Sequence, residues 1–173
     1  MAVLPICEYP EPVLRQQASP VVAIDDALQH LIDDMIETMY AAPGIGLAAP
    51  QVGISLRLFV VDVSSGREAN ALMTFINPEI LQTEGQVRED EGCLSVPGIY
   101  GVTPRAARVR IRGMDRTGHI VEVTGEGLLA RAFLHETDHL QGLLFFNRMG
   151  PVGRDLIKRK FRRAQRQRQH HTH

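Results

Sequence analysis

His135-Glu136-Thr137-Asp138-His139 is the stretch of this chain best suited to chemistry. On a helix, side chains four apart share a face with Cβ atoms roughly 5–6 Å apart, so the two imidazoles can hold one metal ion. Glu136 lies one position round from that line and can reach a water on the same ion. The pattern is that of a metal-assisted hydrolase. The plainer reading, two core histidines without an ion, requires burying two imidazoles together without partners, which is costly.

A catalytic metal needs a third protein ligand and an open position. The motif segment offers none downstream, and His170, His171 and His173 fall in a tail expected to fray. Cys93, in Glu91-Gly92-Cys93-Leu94-Ser95-Val96-Pro97-Gly98, is the better candidate, since a thiol on a metal becomes a thiolate. Spacing alone leaves a buried structural thiol equally open. Cys7 has no comparable context and reads as structural. A third segment, Gly44-Ile45-Gly46-Leu47-Ala48-Ala49-Pro50-Gln51-Val52-Gly53, is glycine-rich but has no Lys-Ser/Thr closure and is not a phosphate loop. Its glycines allow close backbone approach to a ligand, and Gln51 can offer an amide N–H to a developing oxyanion. Standing alone, the loop reads better as a tight helix-to-strand connection.

The elements that must position these residues follow from periodicity. Leu28, Leu31, Ile32, Met35, Ile36 and Met39 predict an amphipathic helix from Asp25 to Tyr40, with Asp25 as N-cap and Pro43-Gly44 as its end. Strands are expected over Leu56–Val63, Ala71–Asn77 and Glu79–Val87, the last two separated at Pro78. Arg105 to Met114 alternates apolar with arginine, a half-exposed strand, and Asp115-Arg116-Thr117-Gly118 turns it into His119–Val123. The motif helix is expected from Glu126 to Leu140 with Gly142 beyond its end, and a last helix from Gly153 to Gln167. Helices at both ends with strands between them indicate α+β.

A chain of 173 residues suits one domain, 1–173, and no linker divides it. No apolar run approaches the roughly 20 residues of a membrane helix, and the start lacks a secretory pattern. Two cysteines argue against a disulfide framework, so a cytoplasmic home is the simplest reading. Net charge is −1 but unevenly spread: eight of the nineteen basic residues fall between Arg154 and Arg168, with Asp155 the one acid among them. A basic tail (154–173) on an acidic body suggests an anionic partner, nucleic acid first, or else a solvated helix.

Taken together, the three segments resemble the bacterial-type peptide deformylase family, whose GφGxAAxQ, EGCxS and HExDH motifs stand in this order. They are matched here by Gly44–Gln51, Glu91–Ser95 and His135–His139. The resemblance implies a single α+β domain, with antiparallel strands packed around a central metal-binding helix and helices at both termini. It implies removal of the formyl group from the N-terminal formylmethionine of new polypeptides. Cys93, His135 and His139 would ligate the metal, ferrous iron in the cell with zinc or nickel in preparations. Glu136 would shuttle the proton, and Gln51 with the Leu94 N–H would face the oxyanion. Ile45, Gly46 and Leu128 would line the methionine pocket beside the His135 ring, and Asp138 reads either as a partner of Arg105 that fixes the motif helix or as a solvent-facing acid. The basic C-terminal helix would contact the ribosome. Two positions depart from the family pattern as read here: Arg131, where a small or apolar residue is usual, bears on the pocket's shape, and Tyr100, where arginine is frequent, on how the downstream peptide is held. The competing readings are another HExxH hydrolase, such as a metallopeptidase, and a catalytically silent ribosome-associated binding protein. Cys93 as third ligand argues against the first, and an intact Glu136 against the second.

Overall fold

The computed structural model describes residues 2–171. The first helix, α1 (Asp26–Ala41), begins where expected: the Asp25 carboxylate accepts from the Leu28 N–H at 2.9 Å. Its apolar stripe is Leu28, Ile32, Met35 and Met39, all buried. The strands β1 (Gly46–Ala48), β2 (Leu58–Val61), β3 (Met73–Glu84), β6 (Arg108–Met114) and β7 (Ile120–Glu126) form one antiparallel sheet in the order β1-β2-β3-β6-β7. A separate hairpin pairs β4 (Val87–Cys93) with β5 (Val96–Arg105). Two more helices follow, α2 (Leu128–Leu140) and α3 (Pro151–His171). The α+β class with antiparallel strands around the motif helix is therefore what the structure has.

The sheet is covered on both sides near β2, which explains the continuous apolar run there. Leu58 and Val60 pack against the α1 stripe, while Phe59 and Val61 pack against Ala132, Phe133 and Leu140 of α2. Toward the far edge, Val109 and Ile111 of β6 stay buried against α2. Arg108 and Arg110 project outward to Glu126 and Glu122 of β7 at 3.2 and 3.1 Å.

Several boundaries differ from the expectation. β2 is shorter than Leu56–Val63, and β7 runs on to Glu126, so α2 starts at Leu128 after Gly127. The strands expected on either side of Pro78 are one strand. A bulge between Ile76 and Glu79 takes up the proline, which has no N–H for the ladder, and Asn77 sits there at φ 51°. The Asn77 amide holds that turn by bonding both the N–H and the carbonyl of Val21. The hairpin β4–β5 has no counterpart in the periodicity, and Arg105 closes β5 instead of opening β6. The middle of β4, Arg88 to Glu91, is a run of four charged residues, so no apolar alternation marks it. The last helix starts two residues earlier than expected and reaches His171; Thr172 and His173, the end of the segment expected to fray, lie outside the described residues. Among the described residues no helix is long and apolar enough to cross a membrane.

Phe133 links α2 to the sheet. It is fully buried, and its ring meets that of Phe75 edge-on at 5.3 Å. Phe133→Ala should lower unfolding free energy by about 3–5 kcal/mol, read from urea denaturation; a loss under about 1 kcal/mol would show that α2 is held to the sheet by other means.

Candidate active site

One turn of α2 stacks His135 on His139, with their Nε2 atoms 3.2 Å apart. Cys93, the last residue of β4, brings its Sγ to 3.3 Å from His139 Nε2. All three ligand atoms lie within 4.8 Å of one another. The hairpin narrows abruptly here, with Cys93 registered opposite Val96 across a two-residue turn, and the Ser95 N–H points at the sulfur from 3.4 Å. Cys7 is not part of the cluster; its N–H donates to the Gln51 carbonyl at 2.7 Å, behind the turn Ala49–Val52.

Glu91 accounts for the orientation of His135. Its Oε2 accepts from His135 Nδ1 at 2.6 Å and from Arg105 Nη2 at 2.7 Å. Its Oε1 accepts from Arg131 Nη1 at 2.7 Å and Arg105 Nε at 3.0 Å. A carboxylate has about four acceptor positions, and all are taken. Burial opposes the charge, but the bonds from His135 and Arg105 hold the carboxyl well below its ordinary value. A charged acceptor at Nδ1 leaves the Nε2 lone pair of His135 for the cluster. Burial, with His135 and Arg105 nearby, pushes His139 well below its usual value, which favours the neutral imidazole that a metal ligand needs.

These residues fit a divalent transition metal. One sulfur and two imidazole nitrogens converge from two elements, the donor set that suits zinc or iron. The surrounding field agrees: at His135, the pull of Glu136, Cys93 and Glu91 outweighs burial and favours positive charge. A divalent ion supplies that charge in place of a proton.

Glu136 is buried beside the ligands, and its Oε1 has no hydrogen-bond partner among the described residues. Burial pushes its carboxyl up to about 7, with His135 pulling down and Glu91 pushing further up. That value suits a group that takes and returns a proton near neutral pH. β1 passes so close that a Cβ on Gly46 would lie 2.7 Å from Glu136 Oε2. Gln51 is fixed at both ends: its Oε1 accepts from the Ala48 N–H at 2.9 Å, and its Nε2 faces Ser95 Oγ at 3.1 Å and Cys93 Sγ at 3.6 Å.

A cavity of 680 Å³ opens onto the cluster, and Ile45, Gly46, Gln51, Leu94 and Leu128 are among its lining residues. Leu128 is half exposed, at the mouth. Asp138 lies away from the ligand face, with Oδ2 2.6 Å from Arg105 Nη1 and Oδ1 2.6 Å from Arg148 Nη2. Glu91 as the partner of His135, Arg131 as a partner of Glu91, and Arg148 as a partner of Asp138 are not among the residues expected from the sequence. Glu91 carried a signal: in an extended strand it shares a face with Cys93, two residues on. Arg148 lies in a short 3₁₀ turn after α2 and carried none.

A family model described as Polypeptide deformylase matches residues 3–155. The chain belongs to the peptide deformylase family. It is a hydrolase of the formylmethionine amide bond. Among deformylases, it is 53% identical to the peptide deformylase of Syntrophobacter fumaroxidans over 163 residues, covering 94% of this chain and 96% of that one. The crystal structure of a peptide deformylase from Legionella pneumophila superposes with a TM-score of 0.90 at 44% identity, covering 96% of this chain and 98% of that one. That of a peptide deformylase from Synechococcus elongatus, solved in complex with actinonin, gives 0.83 at 43% identity, covering 86% and 81%.

In this deformylase Gly46→Ala should displace the Glu136 carboxylate and leave the ligands in place. Metal content by elemental analysis should match the parent while formate release falls by at least about tenfold; undiminished release would show that the carboxylate tolerates the shift.

Proposed function

We propose that the chain deformylates newly made polypeptides using one divalent ion held by Cys93, His135 and His139. The convergence of those three ligand atoms beside buried Glu136, at the inner end of the cavity, carries this reading. When bound, such an ion makes water acidic enough to attack near neutral pH and polarises a carbonyl oxygen. Ferrous iron is the ion expected in the cell, with zinc or nickel as substitutes; one sulfur and two nitrogens suit such ions.

The residues divide the work. The methionine side chain sits against Ile45, Gly46, Leu128 and the His135 ring, which brings the formyl carbon to the ligand cluster. Glu136 takes a proton from the attacking water as the new C–O bond forms. Negative charge then grows on the formyl oxygen, where the Gln51 side-chain amide and the Leu94 N–H donate to it. Glu136 passes its proton to the leaving nitrogen as the C–N bond breaks, giving formate and a free α-amine. Asp138 and Arg105 hold α2 against the hairpin through this cycle. Incubation with formyl-Met-Ala-Ser tests the reading: formate and new amine should form together, whereas cleavage after methionine without formate would mark a peptidase. Glu136→Ala should keep its metal and lose about 10²–10⁴ in turnover; retained turnover would remove Glu136 from the mechanism.

Formylmethionyl nascent chains are the substrates in this reading, and the ribosome is a partner through α3. That helix is anchored on one side by Ile157 and Phe161, and seven of its eight basic residues from Arg154 to Arg168 are exposed. A cytoplasmic location goes with that work. Binding carried by such a face depends on counterion release. Co-sedimentation with ribosomes should occur at low salt and fall steeply between about 50 and 200 mM salt; pelleting indifferent to salt, or none at low salt, would exclude α3 as an electrostatic dock.

A further inference from the structure

Arg131 is buried on the motif helix, four residues before His135, and a cation there has no direct part in the chemistry above. Its length takes it sideways into the hairpin. Nη1 donates to Glu91 Oε1 at 2.7 Å and to the Thr103 carbonyl at 3.0 Å, and Nη2 donates to the Val87 carbonyl at 3.1 Å. One guanidinium thus bonds to both strands of the hairpin and to the carboxylate that holds His135. Resting on the reading of Cys93, His135 and His139 as ligands, we infer that Arg131 is a positioning residue: it locks the Glu91 carboxylate so that Oε2 stays on His135 Nδ1–H, and thereby sets metal affinity.

The geometry explains why the second arginine matters. The two oxygens of a carboxylate turn together about the Cγ–Cδ bond. Swinging Oε2 away from His135 therefore requires Oε1 to leave its own donors. Arg105 alone gives Glu91 one bond on each oxygen, at 3.0 and 2.7 Å. It also serves Asp138, so it can follow that residue. Arg131 adds a second, independent hold on Oε1, tied to the hairpin backbone. An apolar residue at this position leaves an acceptor position of a buried carboxylate empty and removes the bonds from α2 to the Thr103 and Val87 carbonyls of the hairpin. Second-sphere partners of this kind are worth about ten- to a hundredfold in metal affinity.

The test uses the full-length protein loaded with Zn²⁺ and titrated with a competing chelator, together with ¹H–¹⁵N spectra of the His135 Nδ1–H. Arg131→Ile should weaken Zn²⁺ binding about ten- to a hundredfold and move the Nδ1–H resonance upfield with faster solvent exchange, with Arg131→Lys between it and the parent. Ile32→Val, which loosens the core on the far face of the sheet, should keep the parental affinity and resonance, separating positioning from general destabilisation. A folded Arg131→Ile protein with affinity within about threefold of the parent, far short of a second-sphere effect, and an unmoved resonance overturns the inference. Should that variant not fold, Arg131→Lys decides on the same criteria: parental affinity and resonance overturn it. Cys93→Ala separates the two levels: if it binds Zn²⁺ like the parent, the ligand reading fails, whereas its loss of Zn²⁺ beside an unaffected Arg131→Ile protein defeats the role of Arg131 alone.

Discussion

The carboxylate of Glu91 ties both strands of the hairpin to the motif helix. It comes from β4, takes Arg105 from the end of β5, and takes Arg131 and His135 from α2. An isolated charge at this depth would be prohibitive, and only a complete set of donors makes it tolerable. Here the set is complete: two buried guanidinium groups face the buried carboxylates of Glu91 and Asp138. Removing one member of such a buried network typically costs about 3–5 kcal/mol, because the remaining charge is left uncompensated. The network therefore ties the hairpin to the helix, beside the apolar cluster that seats β5 on α3.

Within that seat the protein keeps two glutamates in opposite states. Glu91 is surrounded by donors and stays charged, while Glu136, one residue past His135, is buried with one oxygen unbonded and titrates at about 7. One carboxylate orients a ligand and the other is free to exchange a proton. Environments that push two carboxyl groups apart in this way are how acid–base roles are assigned within one site. β1 completes the arrangement by offering glycine where any side chain would strike Glu136.

How much of this was legible in the sequence varied with the kind of signal. The motif helix, α1 and its Asp25 cap, and the β6–β7 turn rest on local periodicity and side-chain capping, which a single chain displays. The hairpin β4–β5 was hidden because the middle of β4, Arg88 to Glu91, is a run of charged residues; it is held by register, by buried ion pairs and by the apolar cluster around Val96 and Ile99. Pro78 looked like a break because the bulge that absorbs it needs Asn77 to bond Val21, a contact 56 residues away. Arg131 looked like an intrusion on the pocket. The residue lines the cavity, but its guanidinium is turned to Glu91, Thr103 and Val87, partners that only the tertiary fold brings within reach.

The hairpin's independence from the main sheet has a dynamic consequence. Cys93 rides on a two-stranded unit with its own ladder, while His135 and His139 ride on a helix packed against five other strands. Opening that parts sulfur from nitrogen therefore does not require the main core to melt; it requires that the hairpin lift from α2 and disturb the smaller apolar cluster that seats Val96 and Ile99 against Phe145, Phe146, Ile157 and Phe161. Partial openings of this type are the cheapest excursions available to a folded chain. The persistence of the site is thus governed by a local docking equilibrium, whose latch is a few charged side chains on α2 and a small apolar cluster on α3, while the fold beneath it stays closed.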